Sequence, residues 1–281
     1  MRFDFHVHSI HSDGTLSVRE LAALSVEKGI DGFALTDHDT IEGWYQIPVA
    51  EKEYGITILP AVEISTEWQN RDVHILGFGI PIYSQSFQKF LKILCDERIT
   101  RVRKIIQKVN DLGMFLSFEE VKRQSNGSLG RPHVAAAMAE KGYVKDVGEA
   151  FAKYLNRGKK CYVPRSHVSP MEAVDEVVQS GGAAVLAHPG IDQAYQVLED
   201  LVDHGLKGIE VYHSSHHPGM ETKFIRMAKE FGLFVSAGSD FHRLEDDSHG
   251  MLGTKTLDWE HMGSYYRHLI MERKKDMGAN V

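Results

Sequence analysis

The stretch Phe3–Ser17, FDFHVHSIHSDGTLS, decides how this chain is read. Phe3, Phe5 and Val7 alternate with Asp4, His6 and His8, so strand periodicity puts both imidazoles on one face. A buried strand would sooner carry valines there. Two same-face side chains two residues apart reach one small cation between them. A pair of hydrogen-bonded core histidines is the plainer alternative, and the rest of the chain has to separate the two.

Around this stretch runs a βα rhythm. Ser17-Val-Arg-Glu20 has capping-box spacing, Val18, Leu21 and Leu24 repeat helically, and Gly29 supplies the stop. Apolar runs follow at 32–36, 56–64 and 73–78, the last two containing Glu63 and His74. Ser169-Pro170-Met171-Glu172 opens a later helix, and Gly181-Gly182 closes it before runs at 183–187, 208–212 and 233–237. About seven strands, mostly alternating with helices, predict an α/β fold of parallel βα units closing into a barrel. Residues 84–165 are too long for a loop and helical by pattern. The spacing gives one long helix over 87–112, a second capped by Ser117, a third with Pro132 in its first turn and a fourth over 147–155. The expected organisation is a barrel of residues 1–83 and 166–281, interrupted by a helical subdomain at 84–165 that recognises substrate.

Bulk properties narrow the function classes. A chain of 281 residues, 42% hydrophobic and 25% charged, fits one large domain or one domain with an insertion. No apolar run approaches the roughly 20 residues needed to cross a bilayer, and strand-like sequence at the start leaves no room for a signal peptide. Cys95 and Cys161 are far apart and lack metal-ligand spacing, so a reducing cytoplasm is expected. Net charge is −7, yet residues 84–165 carry seventeen Lys and Arg against eight Asp and Glu, a net +9 that leaves −16 elsewhere. A basic segment beside an acidic, histidine-rich body suits an anionic ligand, although basic residues also decorate solvated helix faces. No obligate protein partner is evident.

His6, His8, His38, Glu63, His188, Asp240 and His242 fall at or just past the ends of five expected strands. Asp13 lies in the loop after the first, and His74 lies inside the fourth. In a parallel barrel those ends share one face, where catalytic groups collect. These nine groups exceed the coordination of one ion, whereas two or three divalent cations sharing a bridging carboxylate would use them all. Imidazole and carboxylate without thiolate suit Mn²⁺, Zn²⁺ or Fe²⁺. Coordination lowers the pKa of water from about 15.7 towards about 7, so a metal-activated hydroxide is the expected nucleophile, with Asp13 or a water as the proton source for the leaving group.

His6-Val-His8-Ser9, Ser12-Asp13-Gly14, Leu35-Thr-Asp-His-Asp-Thr40, Glu63-Ile64-Ser65, Ala187-His-Pro-Gly190 and Gly238-Ser-Asp-Phe-His242 resemble the ordered motifs of the polymerase-and-histidinol-phosphatase (PHP) phosphoesterases. Gly130-Arg-Pro-His133 resembles a stand-alone branch that removes phosphate from nucleoside 3′,5′-bisphosphates such as pAp, or hydrolyses 5′-phosphorylated RNA stepwise from the 5′ end. The resemblance implies a distorted seven-stranded (β/α)7 barrel and manganese as the favoured metal. It also implies three metal sites: His6, His8, Glu63 and Asp240; Glu63 as a bridge with His74 and His188; and Asp13, His38 and His242. Other branches place His at the Asp13 position, which leaves the third site least secure. Asp13, Arg131 and His188 are the catalytic candidates. Arg131, His133 and His216 are the substrate-binding candidates, while His11, His213 and His217 read as local.

Three alternatives stay open. A metal-dependent amidohydrolase also begins a barrel with His-x-His, but lacks the Asp-His-Asp element and has no use for Arg131. A histidinol-phosphate phosphatase shares the metal site without needing a nucleotide-sized groove. A noncatalytic, metal-stabilised RNA-binding module would bind oligonucleotides without turnover, but structural metal sites are usually closed and fully ligated by protein.

Overall fold

β1 (Arg2–Val7) forms from the alternation described above, buried throughout after Arg2. Ser17 caps α1 (Val18–Glu27) in a closed capping box with Glu20, which turns Val18, Leu21 and Ala22 inward. β2 (Gly32–Leu35), α2 (Ile47–Tyr54), β3 (Thr57–Trp68) and β4 (Arg71–Phe78) follow. The helical stretch comes next as α3 (Gln85–Asp111), α4 (Phe118–Lys122), α5 (Arg131–Glu140) and α6 (Val147–Ala150), the last running into a π turn at Phe151–Leu155. The chain then resumes alternation with α7 (Pro170–Gln179), β5 (Ala183–Leu186), α8 (Leu198–Asp203), β6 (Gly208–His213), α9 (Pro218–Glu230) and β7 (Phe234–Gly238). A two-residue β8 (Leu257–Asp258) and α10 (Ser264–Ala279) finish it. The computed structural model describes residues 1–125, 127–165, 168–244 and 249–279; Ser166 and His167, where the second barrel segment was expected to start, lie outside the described residues.

One sheet holds all eight strands in the order β7-β6-β5-β4-β3-β2-β1-β8. Its ends meet. Val7 bridges Phe241, His8 N–H donates to Phe241 O, and Asp240 N–H donates to His6 O, which sets the end of β7 beside β1 and closes the barrel. The expectation of uniformly parallel units needs one correction. β4 runs antiparallel to both β3 and β5, while β1, β2 and β3 on one side and β5, β6 and β7 on the other are parallel. The cause is the turn at Gln69–Asn70, where φ is +46° and +60°: a two-residue hairpin forces antiparallel pairing. β8, antiparallel to β1, is the eighth strand that periodicity did not show.

Apolar side chains divide into layers. Phe33, Leu35, Ile58, Ile64, Ile75, Leu186 and Ile209 pack outward under the surrounding helices. Phe5, Leu59, Phe78 and Val185 pack against Tyr266 and Ile270 of α10, with Tyr266 stacked on Phe5 at 3.9 Å. A third cluster, including Val102, Ile105, Val121, Val134, Met138 and Leu155, is the core of the helical stretch. α3 belongs to two cores, because Phe87, Leu91 and Leu94 pack with the barrel and only the later turns with the helices. Among the described residues no helix is long and apolar enough to cross a membrane.

Candidate metal centre

His6 and His8 come from β1, Glu63 from the middle of β3, and His38, His188, Asp240 and His242 from the segments leaving β2, β5 and β7. His74 lies near the start of β4, and the reversal of that strand brings its start to the same mouth. Asp39 (φ +53°), His188 (φ +24°) and Asp240 (φ +56°) are non-glycine residues in left-handed conformations at the strand exits. Such strain concentrates at functional sites.

Glu63 is the hub. Its Oε2 lies 3.1 Å from His6 Nε2, 3.1 Å from His8 Nε2 and 3.2 Å from His38 Nδ1. Its Oε1 lies 2.7 Å from His74 Nδ1 and 2.9 Å from His188 Nε2. Asp240 Oδ1 completes the first group at 3.3 Å from His6 Nε2 and 3.2 Å from His8 Nε2. On the other side of His8, Asp13 Oδ1 is 3.2 Å from His242 Nε2, and Asp13 Oδ2 is 3.9 Å from His38 Nε2. All nine expected ligands therefore meet in one cluster. The donor set fits divalent cations on a direct observation: among the described residues, His6 Nε2, His8 Nε2, Glu63 Oε2 and Asp13 Oδ1 are buried with no hydrogen-bond partner. Buried polar atoms are normally paired, so four lone-pair donors aimed together call for an electrophile between them.

The electrostatics agree. Burial would raise Glu63, but the charges of His38, His6 and His74 hold it well below the usual carboxylate range. Burial would likewise raise Asp13, but the charges of His242 and His38 hold it well below the usual carboxylate range. His8 is pushed up to about 9, against its burial, by the adjacent carboxylates of Asp240 and Glu63. Burial drives His38 and His74 the other way.

Residues outside the expected set hold this cluster in place. Glu210 Oε1, from β6, sits 3.1 Å from His6 Nδ1, and Glu210 Oε2 accepts from His188 N–H at 2.7 Å. Asp37 accepts from Ser9 N–H, Ser9 Oγ–H and Ser12 Oγ–H, which fixes the turn before Asp13. His213 was read as local, and that is corrected: its Nε2 lies 3.4 Å from Asp240 Oδ2. Glu210 did leave a trace, as a lone carboxylate within the apolar run GIEVY. His11 contacts Gln46, and His217 caps α9, so both are local as expected.

Beside His74 lies a second constellation. Asp72 meets Arg131 Nη2 at 2.9 Å, Arg165 Nε at 3.5 Å and Arg157 Nη2 at 3.6 Å, while Arg98 pairs with Asp39 and donates to Ser65 Oγ. Arg101 is buried with Nη2 unpartnered, and burial beside Arg165 and Arg131 lowers it to about 9. Five guanidiniums thus face four carboxylates, Asp39, Glu67, Asp72 and Glu97. Of the substrate candidates, Arg131 joins this pocket at the start of α5. His133 is buried, accepts from Gly130 N–H at 3.0 Å, and feels the charge of Asp13. His216 is a correction. Its Nδ1 faces Val211 O at 2.8 Å and its Nε2 accepts from Gly190 N–H at 3.1 Å, so no ring nitrogen is left for substrate. It braces the turn after His188.

A barrel whose mouth gathers imidazoles and carboxylates around a shared glutamate, beside an arginine pocket, defines a metal-dependent hydrolase of phosphate esters. The chain belongs to the PHP family, whose domain profile matches residues 4–157. It is similar to the 5′-3′ exoribonuclease Rnm of Salmonella typhimurium, at 35% identity over 86% of this chain and 85% of that protein. It is equally similar, at 35% identity, to the 3′,5′-nucleoside bisphosphate phosphatase of Chromobacterium violaceum, over 85% of this chain and 86% of that one. A solved structure from Bifidobacterium adolescentis, described as a metal-dependent phosphoesterase, superposes with a TM-score of 0.85 at 26% identity over 96% of each chain.

Proposed function

We propose that this protein hydrolyses a phosphoester of a nucleotide, either a nucleoside 3′,5′-bisphosphate or 5′-phosphorylated short RNA. The observation that carries the reading is one contact: Arg165 Nη2 lies 3.3 Å from His74 Nε2. It joins the arginine pocket to the metal cluster, so a substrate reacting at the cluster brings a second phosphate within reach of the guanidiniums. His6, His8, Glu63 and Asp240 would hold one ion; Glu63, His74 and His188 a second; Asp13, His38 and His242 a third. Manganese is the expected metal, with two to three ions per chain. Bound there, divalent ions supply an acidified water and positive charge for the phosphoryl oxygens. The rest falls to the chain itself. Arg131, with Arg98, Arg101 and Arg165, orients the non-reacting phosphate, and His133 at the start of α5 is a further substrate-binding residue. The helical segment 84–165 acts as the recognition unit, and the two free cysteines fit a reducing cytoplasm.

The test is a substrate screen of the Mn²⁺-loaded protein against pAp, 5′-phosphorylated RNA, histidinol phosphate and simple amides. Turnover of pAp or RNA at least about 100-fold above histidinol phosphate is expected, the discrimination of about 3 kcal/mol available to charged hydrogen bonds. Preference for histidinol phosphate or for amides would replace this reading with one of those.

A further inference from the structure

His213 ends β6, buried, directly behind Asp240. Its Nδ1 accepts from Ser215 N–H at 3.1 Å, with Ser215 Oγ 2.8 Å from the same nitrogen. A neutral imidazole carries one proton, so with Nδ1 committed as acceptor that proton sits on Nε2. Among the described residues the buried Nε2 has no hydrogen-bond partner at close range, and Asp240 Oδ2 lies 3.4 Å from it. The other carboxylate oxygen, Oδ1, faces His6 and His8. Asp240 has left the strand at φ +56°, so contacts rather than the pleat decide where its side chain points. The other imidazoles near it are His242, whose Nδ1 is 3.7 Å from Oδ1, and His249, whose Nε2 is 4.0 Å from Oδ2.

We infer that His213 is a positioning residue: as the Nε2–H tautomer it donates to Asp240 Oδ2, which leaves Oδ1 turned towards His6, His8 and Glu63 to hold a divalent ion. Direct ligation by His213 is the competing role. It would require a bare Nε2 and hence a proton on Nδ1, where Ser215 N–H already points, and two hydrogens would then face each other. With Glu210 fixing His6, β6 supplies a backing layer of the kind whose loss costs a metal site tenfold to a hundredfold in affinity.

The inference rests on the metal reading above, and the test separates the two. In the metal-free full-length chain, long-range ¹H–¹⁵N spectra of histidine-labelled protein report the tautomer, with the His213 signal assigned by its loss in His213→Gln. The Nε2–H pattern is expected, and the Nδ1–H pattern overturns the inference. Mn²⁺ titration by calorimetry should then show the tightest site about 10- to 100-fold weaker in His213→Leu. It should stay within about threefold of wild type in His213→Gln, whose amide restores a donor near Nε2. Equal losses in both variants would make His213 a ligand, and an unchanged His213→Leu would make it a bystander. A wild-type chain that takes up no divalent ion overturns the metal centre itself.

Discussion

Five imidazoles meet the two oxygens of Glu63, so this side chain is where the site is most sensitive to chemistry without change of shape. Glu63→Gln keeps the volume and removes the charge. Elemental analysis of the Mn²⁺-loaded variant should find two ions weakened together, with kcat/KM down by more than about 100-fold; loss of a single ion would move the bridge elsewhere. The same cluster fixes a pH dependence. His8 must be neutral to ligate, yet in the metal-free chain the adjacent carboxylates of Asp240 and Glu63 raise it, against burial, to about 9. Metal uptake at pH 7 should therefore release protons, and affinity should climb as pH rises towards 9. Calorimetry in buffers of different ionisation enthalpy measures this, and uptake without proton release would contradict it. Without metal, the raised His8 stabilises the fold fully below its unfolded pKa of 6.5 and loses that contribution as pH rises through about 9. The nine clustered groups were legible in the sequence because polar residues stood out at strand ends. Glu210 and His213 were not, because their roles depend on His6 and Asp240, partners far along the chain that only the closed barrel brings near.

Helices announced themselves better than strand directions. Ser17, Ser117 and Ser169 each close a capping box with the glutamate three residues on, and all three boxes could be read from spacing. The reversal of β4 could not, because its turn is Gln69-Asn70 and lacks the glycine that marks a two-residue hairpin. That turn is testable. Both residues have positive φ, so a β-branched Asn70→Val should cost about 1–2 kcal/mol in chemical denaturation, and a neutral result would mean that the turn is not held there. The helical segment matters through α3 and α5, whose Arg98, Arg101 and Arg131 reach the pocket beside His74. Arg131 precedes Pro132 at the start of α5, where free N–H groups already favour anions. Arg131 pairs with Asp72, which also meets Arg157 and Arg165; on the proposed function this pairing would aim the guanidinium. Arg131→Ala should lower kcat/KM on pAp by about 1.5–3 kcal/mol, and far less on p-nitrophenyl phosphate, which has no second phosphate. Equal losses on both would put Arg131 at the reacting group.

At the scale of the whole molecule, charge separation follows the chain. Residues 84–165 carry net +9 on a body of net −16, and their arginines meet the barrel's carboxylates where the two halves touch. The pocket's five guanidiniums outnumber its four carboxylates, Asp39, Glu67, Asp72 and Glu97, so it stays net positive and suits a terminal phosphate. The rest of the body repels nucleic acid, so a long chain gains little beyond the pocket. Salt should reveal this. If binding neutralises about two phosphate charges of a single strand, log kcat/KM falls against log salt with a slope of about −1.4, or about sevenfold between 50 and 200 mM. The expected slope is the same for pAp and for a 5′-phosphorylated decamer, because both engage one pocket. A decamer slope several units steeper would mean that the basic helices grip the strand along its length, as a processive exonuclease requires. The protein would then act on long RNA, with small bisphosphates as incidental substrates.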